Sequence, residues 1–165
     1  MKKHLTILAF IAFSLCSFLE VNGQNYSSAL GARVGYPLSA SYKKFVSGNN
    51  AVELYAGYRG WKYYNWFSVN GAYQIHNNLE GLDGLQWYYG AGAGVYFWNY
   101  DRRFGGDTSA NTTFSLQGYL GLDFTLKEAP INFTLDWVPT VFFNGYSKGF
   151  GPGYGNLGIR YVLAR

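Results

Sequence analysis

The sequence has little of what soluble proteins use on their surfaces and as covalent links. Only 13% of its 165 residues are charged, about half of the ~25% usual for a soluble domain. Its single cysteine, Cys16, excludes a disulfide scaffold. The net charge of +4 is too small to indicate a nucleic-acid-binding protein.

Glycine and aromatic residues are abundant instead. The chain contains 22 Gly, 16 Tyr, 13 Phe and 5 Trp. So many aromatic side chains exclude a disordered chain, because they could not all remain solvated. Glycine at this frequency argues against a helical bundle, since each one inside a helix costs about 1 kcal/mol relative to alanine. The length suits one domain with a sizeable core.

The first 23 residues have the composition of an export signal. Lys2 and Lys3 precede an apolar run over residues 5–19, and residues 21–23 (VNG) supply a cleavage site. An uncleaved anchor is the alternative, but the run is shorter than the ~20 residues that a membrane helix needs. We predict a cleavable signal peptide over residues 1–23. The mature domain, residues 24–165, then has no cysteine and a net charge of +3.

The rest of the sequence alternates between apolar and polar residues with a period of two. Residues 114–127, for example, place Leu116 and Leu120 on one face and Gln117 and Asp123 on the other. Such alternation is typical of a strand whose two faces meet different environments. Eight strands are predicted, over residues 29–36, 38–46, 51–60, 66–76, 85–98, 114–127, 131–143 and 157–163.

The chemistry of the two faces indicates a membrane barrel. One face is apolar and almost uncharged, and the other carries mainly Gly, Ser, Thr, Asn, Gln and Tyr. A soluble small barrel would instead carry charge at most outward positions. Short turns alternate with longer loops, as in outer-membrane barrels. We predict an all-β fold, an eight-stranded antiparallel transmembrane β-barrel, with a soluble secreted barrel as the alternative.

Aromatic residues crowd the predicted strand ends. In a membrane barrel such residues form girdles at the two membrane–water interfaces. The alternative is that aromatic side chains simply favour strands. The predicted girdle comprises Tyr36, Trp61, Tyr64, Trp87, Trp98, Tyr100, Phe133 and Phe143.

Several segments are similar to those of known bacterial barrels: residues 30–37 (LGARVGYP), 41–45 (SYKKF), 51–53 (AVE), 121–124 (GLDF) and 158–162 (GIRYV). Through them the chain resembles the outer-membrane barrel families of Gram-negative bacteria, the small OmpA- and OmpX-type barrels, and barrel proteins of the Bacteroidota. The resemblance covers the predicted mature chain. It implies a porin-like barrel in the cell outer membrane, and its motifs indicate a fold more than an activity.

Six charged residues fall on the face that is predicted to line the lumen. Three are basic and three are acidic: Arg33, Lys43, Glu53, Asp123, Asp136 and Arg160. Buried charges need partners, because an orphan costs several kcal/mol. We expect Asp136 to pair with Arg160 on the adjacent strand, and closure to bring Arg160 beside Arg33. The main hypothesis is a polar plug that fastens the barrel, and the alternative is a narrow ion path.

The mature chain offers little material for catalysis or metal binding. It has one histidine, His76, which we expect to be a solvated residue beside a turn. Metal sites need clustered His, Cys, Asp or Glu, and a hydrolytic triad would lack its base. No catalytic residue, metal ligand or cofactor is therefore predicted.

The predicted role is that of a structural or interaction protein at the cell envelope. Its partners would be outer-membrane lipid and lipopolysaccharide, with other envelope proteins as further contacts. It would be a monomer and would not bind nucleic acid. A narrow channel for ions or small solutes is the first alternative, and an outer-membrane lipid-modifying enzyme is the second.

Overall fold

Eight antiparallel strands close into a barrel in the computed structural model, which describes residues 26–60, 64–100, 112–144 and 148–165. The strands pair in chain order, and β8 pairs with β1. The predicted fold is confirmed, while the predicted signal peptide lies outside the described residues. No helix in the described ranges is long and apolar enough to cross a membrane. The strands are β1 (Ser28–Val34), β2 (Leu38–Ser47), β3 (Asn50–Gly60), β4 (Tyr64–Asn78), β5 (Leu85–Tyr100), β6 (Thr112–Thr125), β7 (Ile131–Phe142) and β8 (Gly149–Ala164).

The contrast expected between short turns and longer loops holds only in part, because two of the connections at one end of the barrel, residues 35–37 and 61–63, have three residues each. Turns of two to six residues join β2 to β3, β4 to β5 and β6 to β7 at the opposite end, called here the turn end. Gly48, Gly81 and Gly84 have positive φ in these turns, a conformation that glycine adopts without a steric penalty. Both described chain ends lie there too, because the N–H of Ser27 donates to the carbonyl of Ala164 at 2.8 Å. The other end, with the remaining connections, is called the loop end.

The wall of the barrel is apolar outside and polar inside. On β6, Leu116 and Leu120 are 54% and 51% exposed. Ser115 and Gln117, the two neighbours of Leu116 in the chain, point the other way and are buried. Alternation of side chains along a strand produces both faces from one sequence pattern. This arrangement is the reverse of a soluble barrel and fits a lipid exterior.

The eighth strand is longer than predicted. It begins at Gly149 rather than at residue 157. Proline lacks a backbone N–H and interrupts ladder pairing, and the β7–β8 register shifts between Val138 and Thr140, around Pro139. Pairing resumes beyond this irregularity, where Phe142 lies opposite Gly149. Within β8 itself, Pro152 and the glycines at 149, 151, 153 and 155 conceal the start of the strand from a search for alternation.

Candidate functional site: the barrel interior

Glu53 lies at the centre of the interior and is fully buried. Strand β3 directs it inward because it alternates with the outward-facing Leu54. Its carboxylate accepts hydrogen bonds from Arg33 Nη1 at 3.0 Å, from Arg160 Nη2 and from Gln74 Nε2 at 2.8 Å. Two guanidinium groups and one amide thus share a single carboxylate, an arrangement of strong charge-assisted hydrogen bonds.

Asp136 is the second acceptor of Arg33. Arg33 Nη2 donates to both carboxylate oxygens, at 2.8 and 2.9 Å, and the hydroxyl of Tyr88 donates at 2.6 Å. The ring of Tyr88 has room because residue 121 is glycine, where a Cβ atom would lie only 2.8 Å from Tyr88 Cζ. A missing side chain on β6 therefore allows a tyrosine on β5 to reach a carboxylate on β7.

Lys43 and Asp123 form the third part of the interior network. Lys43 Nζ lies 3.2 Å from Asp123 Oδ2, and neither residue is exposed. Tyr26 donates to the same carboxylate at 3.0 Å, and Asn132 Nδ2 donates to its other oxygen. Arg160 also donates to Asn132 Oδ1 at 3.4 Å. This amide links the Lys43 pair to the cluster around Glu53.

The structure brings all six predicted lumen charges into one connected layer, but the expected Asp136–Arg160 pair is wrong. Asp136 lies opposite Asn156, and Arg160 lies opposite Asn132. Alternation predicts which face a residue occupies but not the register between strands. The β7–β8 register also shifts between Val138 and Thr140, so pairing next to the connecting residues 143–148 does not fix the partner of Asp136. Arg160 and Arg33 do meet the same carboxylate, that of Glu53.

An apolar cluster, called here the apolar layer, lies on the turn side of these charges. It consists of Tyr26, Ala29, Phe45, Ala51 and Val162. The ring of Tyr26 packs edge-on against Phe45, with 5.1 Å between ring centroids. This layer lies between the charges and the turn end of the lumen.

His76 belongs to this part of the interior, and the expectation of a solvated turn residue is wrong. Its side chain is fully buried and stacks on Tyr88 with 4.8 Å between ring centroids. Phe45 contacts it edge-on, also at 4.8 Å. Strand β4 continues to Asn78, beyond the predicted end at residue 76. His76 therefore keeps the inward orientation of Gln74, two residues earlier.

A second set of layers lies on the loop side. Gln117 accepts hydrogen bonds from the hydroxyls of Tyr55 and Tyr119, and its amide donates to Asn70 and Tyr96 at 2.9 Å each. Beyond it, Trp66, Tyr96 and Phe142 form a buried aromatic cluster, against which Tyr36 and Trp98 pack. The charge layer thus lies between an apolar layer and an aromatic layer.

The predicted aromatic girdle divides into three groups. Trp87 and Phe143 face outward and are 37% and 52% exposed, and Phe133 is half-buried on the outward face of β7. Tyr36 and Trp98 instead pack against the interior cluster, so their assignment to a girdle is wrong. Trp98 shares the inward parity of Tyr88 and Tyr96, and that parity outweighs its position near a strand end.

The three remaining residues of the predicted girdle are Trp61, Tyr64 and Tyr100. Tyr64 and Tyr100 lie opposite each other in the β4–β5 register. Trp61 lies outside the described residues. The girdle at these positions stays a prediction.

Several hydrogen-bonding partners of the charges were not singled out from the sequence. Tyr88, Gln74 and Asn132 lie on predicted inward faces, so parity could have found them. Tyr26 precedes the first predicted strand and left no such signal. In the part of the chain that the structure describes, no three potential metal ligands come together.

The interior contacts therefore connect strands across the barrel. The three basic and three acidic side chains of the interior balance in charge. A closed eight-stranded barrel with apolar side chains outside and paired charges inside has the architecture of the small outer-membrane β-barrels. Among solved structures, it is similar to Neisserial surface protein A, with a TM-score of 0.59 and 11% identity over 82% of this chain and 93% of that one. It is also similar to Ail, the attachment invasion locus protein of Yersinia pestis, with a TM-score of 0.42 and 20% identity over 82% and 95% of the two chains.

The likeness to Neisserial surface protein A is a likeness of fold. No protein-family model matches the sequence, and no curated protein is significantly similar to it. The class of the protein therefore rests on its architecture and on the chemistry of its two faces.

Proposed function

We propose that this protein is a sealed outer-membrane barrel with a structural or interaction role at the cell envelope. The observation that carries the proposal is the filled interior, in which a connected charge layer lies between an apolar and an aromatic layer. An ion in transit would have to separate paired side chains and cross both layers. Moving a charge away from water without a partner costs several kcal/mol. The arrangement supports a barrier rather than a path.

Conductance in planar lipid bilayers tests this proposal. Wild-type protein should add no conductance to the bilayer. Glu53→Ala removes the acceptor that Arg33 and Arg160 share. Phe45→Ala opens the apolar layer and Trp66→Ala the aromatic layer, so the triple variant should conduct. Tyr161→Ala, a change on the outward face, is the control and should not. Steady conductance by the wild type would support an ion path instead.

The surplus positive charge supports a particular partner at the loop end. The interior is neutral, and the turn end carries three basic and three acidic residues. The connections and strand ends of the loop end contain five basic and two acidic residues, so that the whole surplus of +3 belongs there. These residues are Arg59, Lys62, Arg102, Arg103, Lys148, Asp101 and Asp107, of which only Arg59 and Lys148 lie within the described residues.

A cationic rim favours contact with anionic groups in the outer leaflet. We infer that the loop end contacts phosphate groups of lipopolysaccharide. Phosphorylated lipid A should raise the unfolding temperature of the barrel more than dephosphorylated lipid A, and added salt should weaken the difference. Arg102→Gln with Arg103→Gln should reduce it. Lys127→Gln with Arg165→Gln removes equal charge at the turn end and should leave it unchanged; equal effects of both pairs would contradict the inference.

A further inference from the structure

His76 lies where two layers of the interior meet. It is the one histidine of residues 24–165, and its side chain is fully buried. Its ring contacts Phe45, which belongs to the apolar layer. Its other face of contact is the ring of Tyr88, whose hydroxyl donates to Asp136 in the charge layer. A change in the charge of this imidazole would therefore act on both layers.

The surroundings of the ring do not suit a second N–H group. Among the described residues, neither ring nitrogen has a hydrogen-bond partner within normal geometry, and Gln86, which approaches the ring, stays outside that geometry. The ammonium of Lys43 lies 4.5 Å from the centre of the same Tyr88 ring that His76 stacks on. A proton on His76 would thus place a second cation on this side of the charge layer.

The carboxylates of the interior already bind cations. Asp123 binds Lys43, and the carboxylates of Glu53 and Asp136 bind arginines. A protonated His76 would give the interior a net positive charge and would compete with a cation already bound, which is unfavourable in a buried site. The charged and titratable groups around the ring are Lys43 on β2, Glu53 on β3, Tyr88 on β5 and Asp123 on β6, with Tyr26 one contact further away on Phe45 and Asp123.

We propose that His76 makes the turn side of the barrel sensitive to acid: its ring is neutral in the closed barrel, and its protonation weakens the packing between the apolar layer and the charge layer. A solvated histidine has a pKa of about 6.5, so the opened chain takes up a proton in mildly acidic solution. Stability falls as the pH falls through this range, because the open form binds more protons than the closed form. The inference does not depend on the cationic rim at the loop end.

Urea-induced unfolding of the refolded mature protein in lipid vesicles, at pH 7.5 and 5.5, tests the proposal. The unfolding equilibrium constant of the wild type should be about tenfold larger at pH 5.5, the change expected when one histidine is protonated only in the unfolded chain. Carboxyl groups contribute little in this range, because in the unfolded chain they titrate near pH 4. His76→Phe keeps a ring beside Tyr88 and Phe45 but cannot be protonated, so its equilibrium constant should change less than twofold. His76→Gln should be equally insensitive.

A relocated histidine is the matched control. His76→Phe combined with Leu79→His restores one histidine at an exposed position of the β4–β5 turn. A solvated ring titrates alike in folded and unfolded chains, so this variant should behave as His76→Phe does. A wild type without the tenfold change, or the same change in His76→Phe and His76→Gln, would overturn the proposal.

Amide hydrogen exchange locates the effect within the barrel. The N–H of Phe45 donates to the carbonyl of Ser27 at 2.9 Å on the turn side, whereas Leu116 lies on the loop side of β6. Between pH 7.5 and 5.5 the protection factor of the Phe45 amide should fall several-fold more than that of Leu116, and His76→Phe should remove this difference. Equal losses at the two amides of the wild type would overturn the assignment to the turn side.

Discussion

Arg33 connects the two largest parts of the interior network, the contacts around Glu53 and those around Asp136. One of its guanidinium nitrogens binds Glu53 and the other binds Asp136, and its guanidinium also lies 4.6 Å from the centre of the Tyr55 ring. It is 1% exposed, so water cannot replace a lost partner. Buried ion pairs of this kind add little net stability, but breaking one leaves an uncompensated charge.

A double-mutant cycle tests the pairing. Asp136→Ala should destabilise the barrel by about 3–5 kcal/mol, because it leaves Arg33 without its second acceptor. The double variant with Arg33→Ala should cost less than the sum of the singles, with a coupling of about 1–3 kcal/mol. The cycle between Asp136 and Arg160, which do not touch, should give a smaller coupling. Urea-induced unfolding in lipid vesicles would provide the measurements, and equal couplings would show that the register is different.

The close packing around Gly121 leads to a prediction about substitutions at this position. A Cβ atom there would lie 2.7 Å from Asp136 Cβ and 2.8 Å from Tyr88 Cζ. Gly121→Val should therefore displace the Tyr88 ring and cost about 1–3 kcal/mol, the usual penalty for overpacking. Gly155→Ala is the control, because nothing lies within 4 Å of its added carbon. Similar refolding energies for the two variants would refute the packing argument.

At the scale of the strands, the outward face determines how the barrel meets lipid. Leu120 lies near the middle of β6, whereas Phe150 lies near the loop end of β8; they are 51% and 70% exposed. Leu120→Arg should cost about 2–4 kcal/mol, and Phe150→Arg about 0–1 kcal/mol, because the penalty falls toward the interface. Refolding equilibria in bilayers would compare them. A larger penalty at residue 150 would mean that the membrane occupies a different height on the barrel.

The turns offer a contact outside the membrane-spanning strands. Lys127 Nζ lies 2.5 Å from Asp83 Oδ2, joining the β6–β7 turn to the β4–β5 turn. This hydrogen bond lowers the pKa of Asp83 below its usual value. A carboxyl with a lowered pKa stabilises the fold above its unfolded pKa and loses this effect as the pH falls through the folded value.

The pH dependence of a variant tests that contact. Lys127→Gln should be slightly less stable than the wild type at neutral pH, because both side chains are largely exposed and such pairs contribute little. The difference should vanish at about pH 2, where Asp83 is protonated in both proteins. Unfolding temperatures at the two pH values would show it. A difference that persists in acid would have to come from another contact of Lys127.

At the scale of the whole molecule, export and insertion are the expectations to test. Cell fractionation should recover the protein in the outer membrane, and its gel mobility should change on heating, as is usual for closed barrels. Sequencing of its amino terminus should begin at Gln24 or Asn25, where the signal sequence predicts cleavage. Recovery from the soluble periplasmic fraction would contradict the lipid exterior.

The amino-acid pattern alone was sufficient for the strand number, the inward and outward faces and the inventory of buried charges. Each follows from the two-residue period, which is local and survives in every strand from Ser28 to Thr125. The same parity places Glu53, Asp136 and Arg160 inside the barrel. It fails at the start of β8, where Pro152 and the glycines at 149, 151, 153 and 155 interrupt the pattern.

The pairing of the interior charges was decided only by the folded barrel. The Arg33–Asp136 contact joins residues 103 positions apart, on strands that are not neighbours in the sheet. It depends on the register of several ladders and on the space above Gly121. The inward turn of Tyr36, which lies between β1 and β2, has the same origin, whereas His76 and Trp98 face inward through the parity of their own strands. A local period specifies the direction of a side chain, whereas contacts across a lumen depend on closure, register and the volumes of residues from opposite walls.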